Sequence, residues 1–531
     1  MSVSLLIAAI VITACVIFSK LSSKLGIPAL LAFILLGMFF GSDGIVKIQF
    51  DNYAFTEQIC TIALVFIMFY GGAGTNLNEA KKVAGKSTIL SSLGTVLTAG
   101  FVGIFCHLVL KISTYESFLI GSVISSTDAA SVFSILRSKR LNLKYDTASL
   151  LEVESGSNDP FSYMLTVVIL TLMQGEMSGI GIVYMLFAQL AYGIVLGLIV
   201  AYITTHILKR FNFNSDGLDS LLLVAVALLS YAIPTLIGGN GYLSVYITGI
   251  ILGNTRIKNK RSLIHFFDGI TGLMQMLLFF ILGLLSFPSQ FSKILLPALG
   301  IAVFLTFIAR PAAVFLLLSP LKCTPKQCLL ISWAGLRGAA SIVFAIMTVV
   351  SPAVTDNDIF HMVFFIVLFS ILIQGTLLPY VAKRLNMTDD SGDVMKTFTD
   401  YAYELPVSFI QFRMHKGHHW IDQKIRDIAL PLNLMLVLII RGEEKIIPNG
   451  MTELKNNDKV ILCGRSSEKI DGVQLFEREI SATDEWCNKP LREISTQNEL
   501  IIMIKRDEKL VIPDGNTVIQ SNDIVIINES N

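Results

Sequence analysis

From Ser2 to about Arg384 the chain repeats one pattern: an apolar run long enough, or nearly so, to cross a bilayer, then a short polar gap. The pattern predicts thirteen membrane-spanning helices, at about 3–19, 27–41, 55–71, 87–110, 116–136, 147–174, 181–208, 219–237, 241–253, 262–286, 294–318, 327–350 and 357–382. The second and the ninth are short for a straight crossing. The first begins apolar at once, with no basic lead and no small-residue cleavage site, and is expected to remain as a span rather than be removed as a signal peptide. Beyond Asn386 charge becomes dense, so a soluble domain is expected to follow a membrane domain at 1–385, with a polar linker at 386–400.

The basic residues orient the spans. Gaps after odd-numbered spans hold about seventeen lysines and arginines, among them Lys81, Lys82, Arg140, Arg256, Lys258 and Lys322, whereas gaps after even-numbered spans hold only Lys47, Lys111 and Lys293. The positive-inside rule then puts Met1 outside and the tail in the cytoplasm.

The tail contains a repeat of about 65 residues. One copy runs Trp420, Arg426-Asp427-Ile428, Arg441, Pro448-Asn449-Gly450 and Asp458-Lys459-Val460. The other runs Trp486, Arg492-Glu493-Ile494, Arg506, Pro513-Asp514-Gly515 and Asp523-Ile524-Val525. Short β-rich runs alternate with Pro-x-Gly turns, which predicts two small α+β domains, at 401–465 and 474–531.

Composition agrees with this division: 53% of residues are hydrophobic and 15% charged, against about 25% charged in soluble domains. A net charge of +1 gives no reason to expect a nucleic-acid partner. The seven cysteines are scattered without a C-x-x-C pair, which supports neither a zinc site nor a disulfide framework. No nucleophile–base pair appears in the spans, so an enzyme is not expected and no cofactor is called for.

The candidate chemistry is the charge left inside the spans, where each ionisable residue costs about 2.5–3.5 kcal/mol. Span six carries Glu152, Glu154 and Asp159, span five Asp128, span eleven Arg310 and span twelve Arg337. In Glu154-Ser155-Gly156-Ser157-Asn158-Asp159, helical spacing puts Ser155 and Asp159 on one face and Glu154 and Asn158 on the adjoining one. A hydroxyl and a carboxylate are hard oxygen ligands of the kind an alkali cation accepts. Desolvation favours the neutral form of a buried acid, so protons compete with cations for such a carboxylate. Glu154 can meet an arginine. Arg310, followed by Pro311, reads as half of a second, structural ion pair. Asp268 reads as a solvated helix end and His107 as interfacial.

Spans five and twelve share Ala-Ala-Ser followed by Val-Phe or Ile-Val-Phe, each after a charged residue, in Asp128-Ala129-Ala130-Ser131 and Arg337-Gly338-Ala339-Ala340-Ser341. They lie seven spans apart, as two inverted six-helix repeats joined by span seven require. Small residues around an internal charge predict interrupted helices, with Asp128 offsetting exposed N-terminal dipoles and Arg337 exposed C-terminal ones.

On Ser125-Ser126-Thr127-Asp128-Ala129-Ala130, Glu154-Ser155, Asn158-Asp159 and Gly335-Leu336-Arg337-Gly338, the chain resembles the monovalent cation/proton antiporter-1 family, most closely its NhaP-type potassium/proton branch. The resemblance covers about Met1 to Arg384. It implies a homodimer in membrane lipid that works by alternating access. Asp159 is then the exchanging carboxylate, with Ser155, Thr127 and Asp128 in the cation and proton site. Asn158 supports the crossing of the broken helices, and Glu154 pairs with Arg337. A neutral Asn158 beside Asp159 looks like the electroneutral members. Many members have Thr-Asp-Pro where this chain has Thr127-Asp128-Ala129.

Each tail copy resembles the TrkA-C domain, the C-terminal lobe of regulator-of-potassium-conductance proteins. The resemblance implies paired lobes that bind a small regulator within 401–531, cyclic di-AMP being one such ligand, and it favours K⁺ over Na⁺. The rival expectation is a ligand-gated cation channel, since such lobes also gate channels. Gly239-Asn240-Gly241-Tyr242 has some of the residues of a selectivity filter but lacks Thr-Val ahead of Gly-Tyr-Gly, and reads more plainly as an external turn.

Overall fold

The computed structural model describes residues 2–25, 29–139, 141–175, 179–210, 217–255, 260–389, 407–416, 418–428, 430, 434–442, 444–465, 475–481, 484–494, 499–506, 509–511 and 513–529. Arg140, Arg256, Lys258, positions 390–400 of the expected linker, and positions 401–406, 474 and 530–531 of the expected tail domains lie outside the described residues. The chain divides into two compact units, Met1–Tyr403 and Glu404–Asn531.

The first unit is built of helices. It opens with α1 (Ser2–Leu25), α2 (Ala29–Phe40) and α3 (Tyr53–Gly74). Next, α4 (Leu77–Ile89) runs into α5 (Thr95–Leu108) through a wide π turn at Leu90–Gly94. Where span five is expected, the chain makes two helices, α6 (Thr114–Val123) and α7 (Ala129–Ser138), with 124–128 non-helical between them. Five longer or simpler helices follow: α8 (Thr147–Gln174), α9 (Gly179–Arg210), α10 (Leu218–Leu236), α11 (Gly241–Asn254) and α12 (Lys260–Leu284). A second π turn, Leu305–Ala309, joins α13 (Phe291–Phe304) to α14 (Arg310–Leu318). Where span twelve is expected, α15 (Pro325–Trp333) and α16 (Ala339–Val350) are separated by 334–338. A third π turn, Ser370–Gly375, joins α17 (Ile359–Phe369) to α18 (Thr376–Arg384).

Among the described residues, seven helices are long and apolar enough by themselves to cross a membrane, the π-joined rods counting as one each. Of the six other expected crossings, the first gives a shorter apolar stretch, Ala9–Lys20, among the described residues, and the remaining five depart from that criterion for physical reasons. The helices α2 and α11 have 12 and 14 residues, α6/α7 and α15/α16 are broken, and α8 carries the three acids.

Local chemistry sets the ends. The Asn52 side chain accepts from the Phe55 N–H to start α3, Thr324 caps α15 with Pro325 at its first position, and Asp358 caps α17. Glycines let α3 and α11 touch backbone to backbone: a Cβ on Gly72 would sit 2.5 Å from the Tyr246 carbonyl oxygen. The start of the expected linker is not free chain. Lys144 N–H donates to the Met387 carbonyl (2.9 Å) and Asp389 N–H to that of Asn142 (3.0 Å), which fastens 387–389 to the loop between α7 and α8.

One ion pair ties α8 to α14. Arg310 Nη2 lies 2.6 Å from Glu154 Oε1, with both side chains buried. The expected pairing of Glu154 with Arg337 is therefore corrected. The π turn before Arg310 aims its guanidinium at α8, against Gly335, while Arg337 is engaged elsewhere.

The second unit holds two antiparallel sheets of identical topology. β1 (Val407–Arg413), β2 (Leu434–Arg441), β3 (Glu444–Ile446) and β4 (Lys459–Arg465) order as β1-β4-β2-β3. β5 (Leu475–Glu479), β6 (Glu499–Arg506), β7 (Lys509–Val511) and β8 (Ile524–Glu529) order as β5-β8-β6-β7. Even the bulges correspond, between Leu436 and Leu438 and between Ile501 and Met503. The α+β expectation needs correction: among the described tail residues the helical pieces are single 3₁₀ turns, Ile425–Asp427 and Leu491–Glu493. Asp422 and Asn488, at φ 60° and 63°, interrupt any longer helix there.

Arg441 grips the buried Asp458 with two bonds of 2.9 and 2.8 Å, and Arg506 grips Asp523 with 2.8 and 2.6 Å. Burial pushes both carboxyls up. The arginine hydrogen bonds and charge, with the N–H groups of Lys455 and Gln520, outweigh it and hold both below the usual carboxylate value.

Two outcomes follow from these contacts. Glu154→Gln strands the buried Arg310 charge and is expected to cost about 3–5 kcal/mol, read as a lower melting temperature of the purified protein; an unchanged melt would contradict the pairing. A depressed carboxyl contributes stability above its unfolded value, near pH 4, and loses it as pH falls through the folded one. Hydrogen exchange in β2, β4, β6 and β8 of the full chain should therefore stay slow down to about pH 4 and quicken below, and Asp458→Asn should remove that acid step from the first sheet.

Candidate functional site

The two breaks cross. Asp128 N–H donates to the Leu336 carbonyl at 2.8 Å, joining one non-helical segment to the other. Arg337, 1% exposed, sends Nη1 to the carbonyls of Ser125 (2.8 Å) and Ser126 (2.7 Å) just past the C-terminal end of α6. Its own N–H donates to Ser370 Oγ (3.0 Å) in the third π turn. An arginine thus pairs carbonyls of the non-helical segment that no further turn of α6 would reach.

Asp128 does the converse work. Its carboxylate accepts from the Ser131 hydroxyl at 2.6 Å and caps α7, and it lies against Gly338 at the start of α16. A Cβ on Gly338 would stand 2.6 Å from the Asp128 Cγ, so glycine is what allows the two breaks to approach so closely.

The helix α8 passes this crossing with one polar face. Asn158 Nδ2 donates to Thr127 Oγ1 (2.6 Å), which also lies 2.9 Å from Ser155 Oγ. The Ser126 hydroxyl donates to Asp159 Oδ1. Ser126, Thr127, Ser155 and Asn158 are buried, whereas Asp159 is half-buried and keeps accessible surface. The result is a set of hard oxygens, three hydroxyls and a carboxylate, gathered by a helix break against a continuous helix. Among the described residues no group of three His, Cys, Asp or Glu side chains could hold a metal ion.

The structure therefore brings together Thr127, Ser155, Asn158 and Asp159. It places Asp128 and Arg337 at the crossing itself, and Glu154 and Arg310 in a separate ion pair. Asp268 accepts from the Tyr70 hydroxyl at 3.0 Å, and His107 Nδ1 bonds the Ile112 carbonyl at 3.0 Å, both on exposed or half-buried ground.

Two contributors escaped sequence reasoning. Ser126 sits in a run of hydroxyl residues, where nothing distinguishes the one that turns toward Asp159. Asn240 belongs to the turn at 239–242: it caps α11 through Leu243 N–H (3.0 Å) and donates to the Pro160 carbonyl (2.8 Å), one residue beyond Asp159. An asparagine just ahead of an apolar run was the available signal for the cap, but its reach to α8 was not legible.

Known proteins resemble this chain along both of its units. Residues 7–384 match the family described as sodium/hydrogen exchanger, transmembrane, and residues 409–470 and 475–528 each match the TrkA-C domain. The K(+)/H(+) antiporter NhaP2 of Shewanella baltica (strain OS223) is 31% identical over 470 residues, 87% of this chain and 81% of that protein. The K(+)/H(+) antiporter NhaP of Alkalimonas amylolytica is 32% identical over 475 residues, 88% of this chain and 82% of that protein. Among solved structures, the sodium proton antiporter MjNhaP1 from Methanocaldococcus jannaschii at pH 8 shares the fold with a TM-score of 0.64 at 24% identity, covering 72% of this chain and 99% of that one. The relatives are antiporters, which leaves the channel expectation without support. From its first helix to its eighteenth, followed by two TrkA-C domains, the chain belongs to the transmembrane sodium/hydrogen exchanger family.

Proposed function

We propose that the chain exchanges K⁺ for H⁺ one for one, by alternating access, with Asp159 as the carboxylate that holds either ion. One observation carries this reading: half-buried Asp159 keeps accessible surface and accepts from the buried Ser126 hydroxyl, while the Thr127 and Ser155 hydroxyls pair on the adjoining residues. A single exchanging acid beside the neutral Asn158 binds one cation or one proton in turn, so a cycle moves no net charge. Asp128 tunes the site from the crossing, and Asn158 holds Thr127 in place. The relatives named as K(+)/H(+) antiporters favour potassium; the oxygen set itself accepts Na⁺ as well.

The remaining architecture belongs to the same proposal. Residues 1–385 cross the membrane thirteen times as two inverted six-helix repeats, interrupted at 124–128 and 334–338. Met1 lies outside and the tail in the cytoplasm. Two chains form a homodimer. Residues 386–400 lead to regulatory domains at 401–465 and 474–531, which take a small cytoplasmic ligand such as a cyclic dinucleotide and bias the cycle.

Vesicles loaded with K⁺ and bearing the protein should acidify inside as K⁺ leaves and protons enter, at a rate indifferent to an imposed membrane potential. A potential-driven current without proton movement would sink the exchanger reading. Asp159→Asn is expected to abolish exchange while the protein still inserts and melts as before. Truncation after residue 385 should keep exchange and lose its response to a cyclic dinucleotide; an unaltered response would remove the tail from regulation.

A further inference from the structure

Ser126 stands apart from the other hydroxyls at the site. Thr127 Oγ1 is engaged by Asn158 and lies beside Ser155, while Ser126 Oγ reaches Asp159 itself. Its backbone is fixed too, because its carbonyl and that of Ser125 are both held by Arg337 Nη1. The hydroxyl is thus delivered to the carboxylate from a segment that a buried guanidinium keeps in place.

Resting on the reading of Asp159 as the exchanging carboxylate, we propose that Ser126 is a positioning residue of the exchange reaction, aiming that carboxylate and setting the pH at which it trades its proton for a cation. The physical basis is the direction of the bond. A hydroxyl that donates to a carboxylate stabilises the ionised form, and hydrogen bonds to charged groups are the stronger ones. The same hydroxyl can turn and present its oxygen, so the bond yields to an entering cation without leaving Asp159 bare.

The other groups near Asp159 are accounted for. Asp128 acts on it from the first break, and Glu152 and Glu154 share its helix. Tyr246 of α11 interacts with both Asp159 and Glu152, and Glu57 of α3 acts on Tyr163 farther along α8. Arg310 is committed to Glu154, and Arg337 to the carbonyls of 125 and 126. Among the described contacts Ser126 is the hydrogen-bond donor to Asp159.

The test is K⁺/H⁺ exchange by the full chain in vesicles across pH, for wild type, Ser126→Ala, Ser126→Thr and Asp159→Asn. Ser126→Ala should move the whole profile to higher pH by about one unit, so that on its acid limb the half-saturating K⁺ rises roughly tenfold with the maximal rate kept. Ser126→Thr, which retains the hydroxyl, should stay near wild type. A merely structural serine would lower the maximal rate or the melting temperature without moving the profile, and that result overturns the proposal, as does a profile for Ser126→Ala that coincides with wild type. Should the alanine variant fail to insert, Ser126→Cys, a weaker donor of similar shape, carries the same comparison and should shift the profile in the same direction. Exchange persisting in Asp159→Asn would instead defeat the parent reading, so the two failures are told apart.

Discussion

A helix interrupted inside a bilayer leaves backbone N–H and C=O groups that no water can satisfy, and every other feature of the site follows from how those groups are paired. Each unsatisfied group in hydrocarbon costs several kcal/mol, so a break survives only where protein supplies the missing partners. Here two breaks partner one another. Leu336 offers its carbonyl to Asp128 N–H, Arg337 fills the carbonyls after α6, and the Asp128 carboxylate caps α7 beside Gly338. Two charged residues do what two helical turns would have done, and the segment 124–128 is thereby freed from helical geometry. That freedom lets consecutive residues Ser126 and Thr127 both present hydroxyls toward α8.

The unbroken helix supplies what the breaks lack. Its polar face is spaced at three and four residues, so Ser155, Asn158 and Asp159 reach the crossing together while Glu154 turns to Arg310. The ion pair fastens α8 to α14 beside the site without entering it. Two of the three π turns contribute in the same way: one precedes Arg310 and the other carries Ser370, which accepts from Arg337 N–H. A wide turn re-aims one side chain at little cost to a rod that must still cross the membrane.

Much of this was legible before any coordinates. Charge inside apolar runs pointed to the segments that carry Asp128, Glu154, Asp159, Arg310 and Arg337, because hydrocarbon makes such charge expensive and therefore meaningful. Small residues around Asp128 and Arg337 marked where the non-helical segments lie. Partners were harder. Glu154 had two arginines within plausible reach, and only the π turn ahead of Arg310, invisible in sequence, decides between them. Ser126 was hidden among equivalent hydroxyls for a similar reason: which one points at Asp159 depends on the dihedrals of a segment that follows no periodicity. In the tail the repeat was plain, down to paired Arg441/Asp458 and Arg506/Asp523, but the left-handed residues Asp422 and Asn488 that exclude a longer helix carry no strong signature.

The distribution of buried charge is what sets Asp159 apart from the other groups as the carboxylate proposed for exchange. Glu154 has a fixed counter-charge in Arg310. Arg337 is met by carbonyl dipoles, and Asp128 by the N-terminal end of α7, which it caps through the Ser131 N–H and hydroxyl. Each of these charges is compensated by something covalently part of the fold, so none can lose its partner without the crossing coming apart. Asp159 receives a neutral donor, Ser126, and keeps accessible surface. A buried carboxylate with no cationic partner among the described residues must find its compensation elsewhere, and the two candidates that water can deliver are a proton and a dehydrating cation. They compete for one place, which is the thermodynamic condition for antiport.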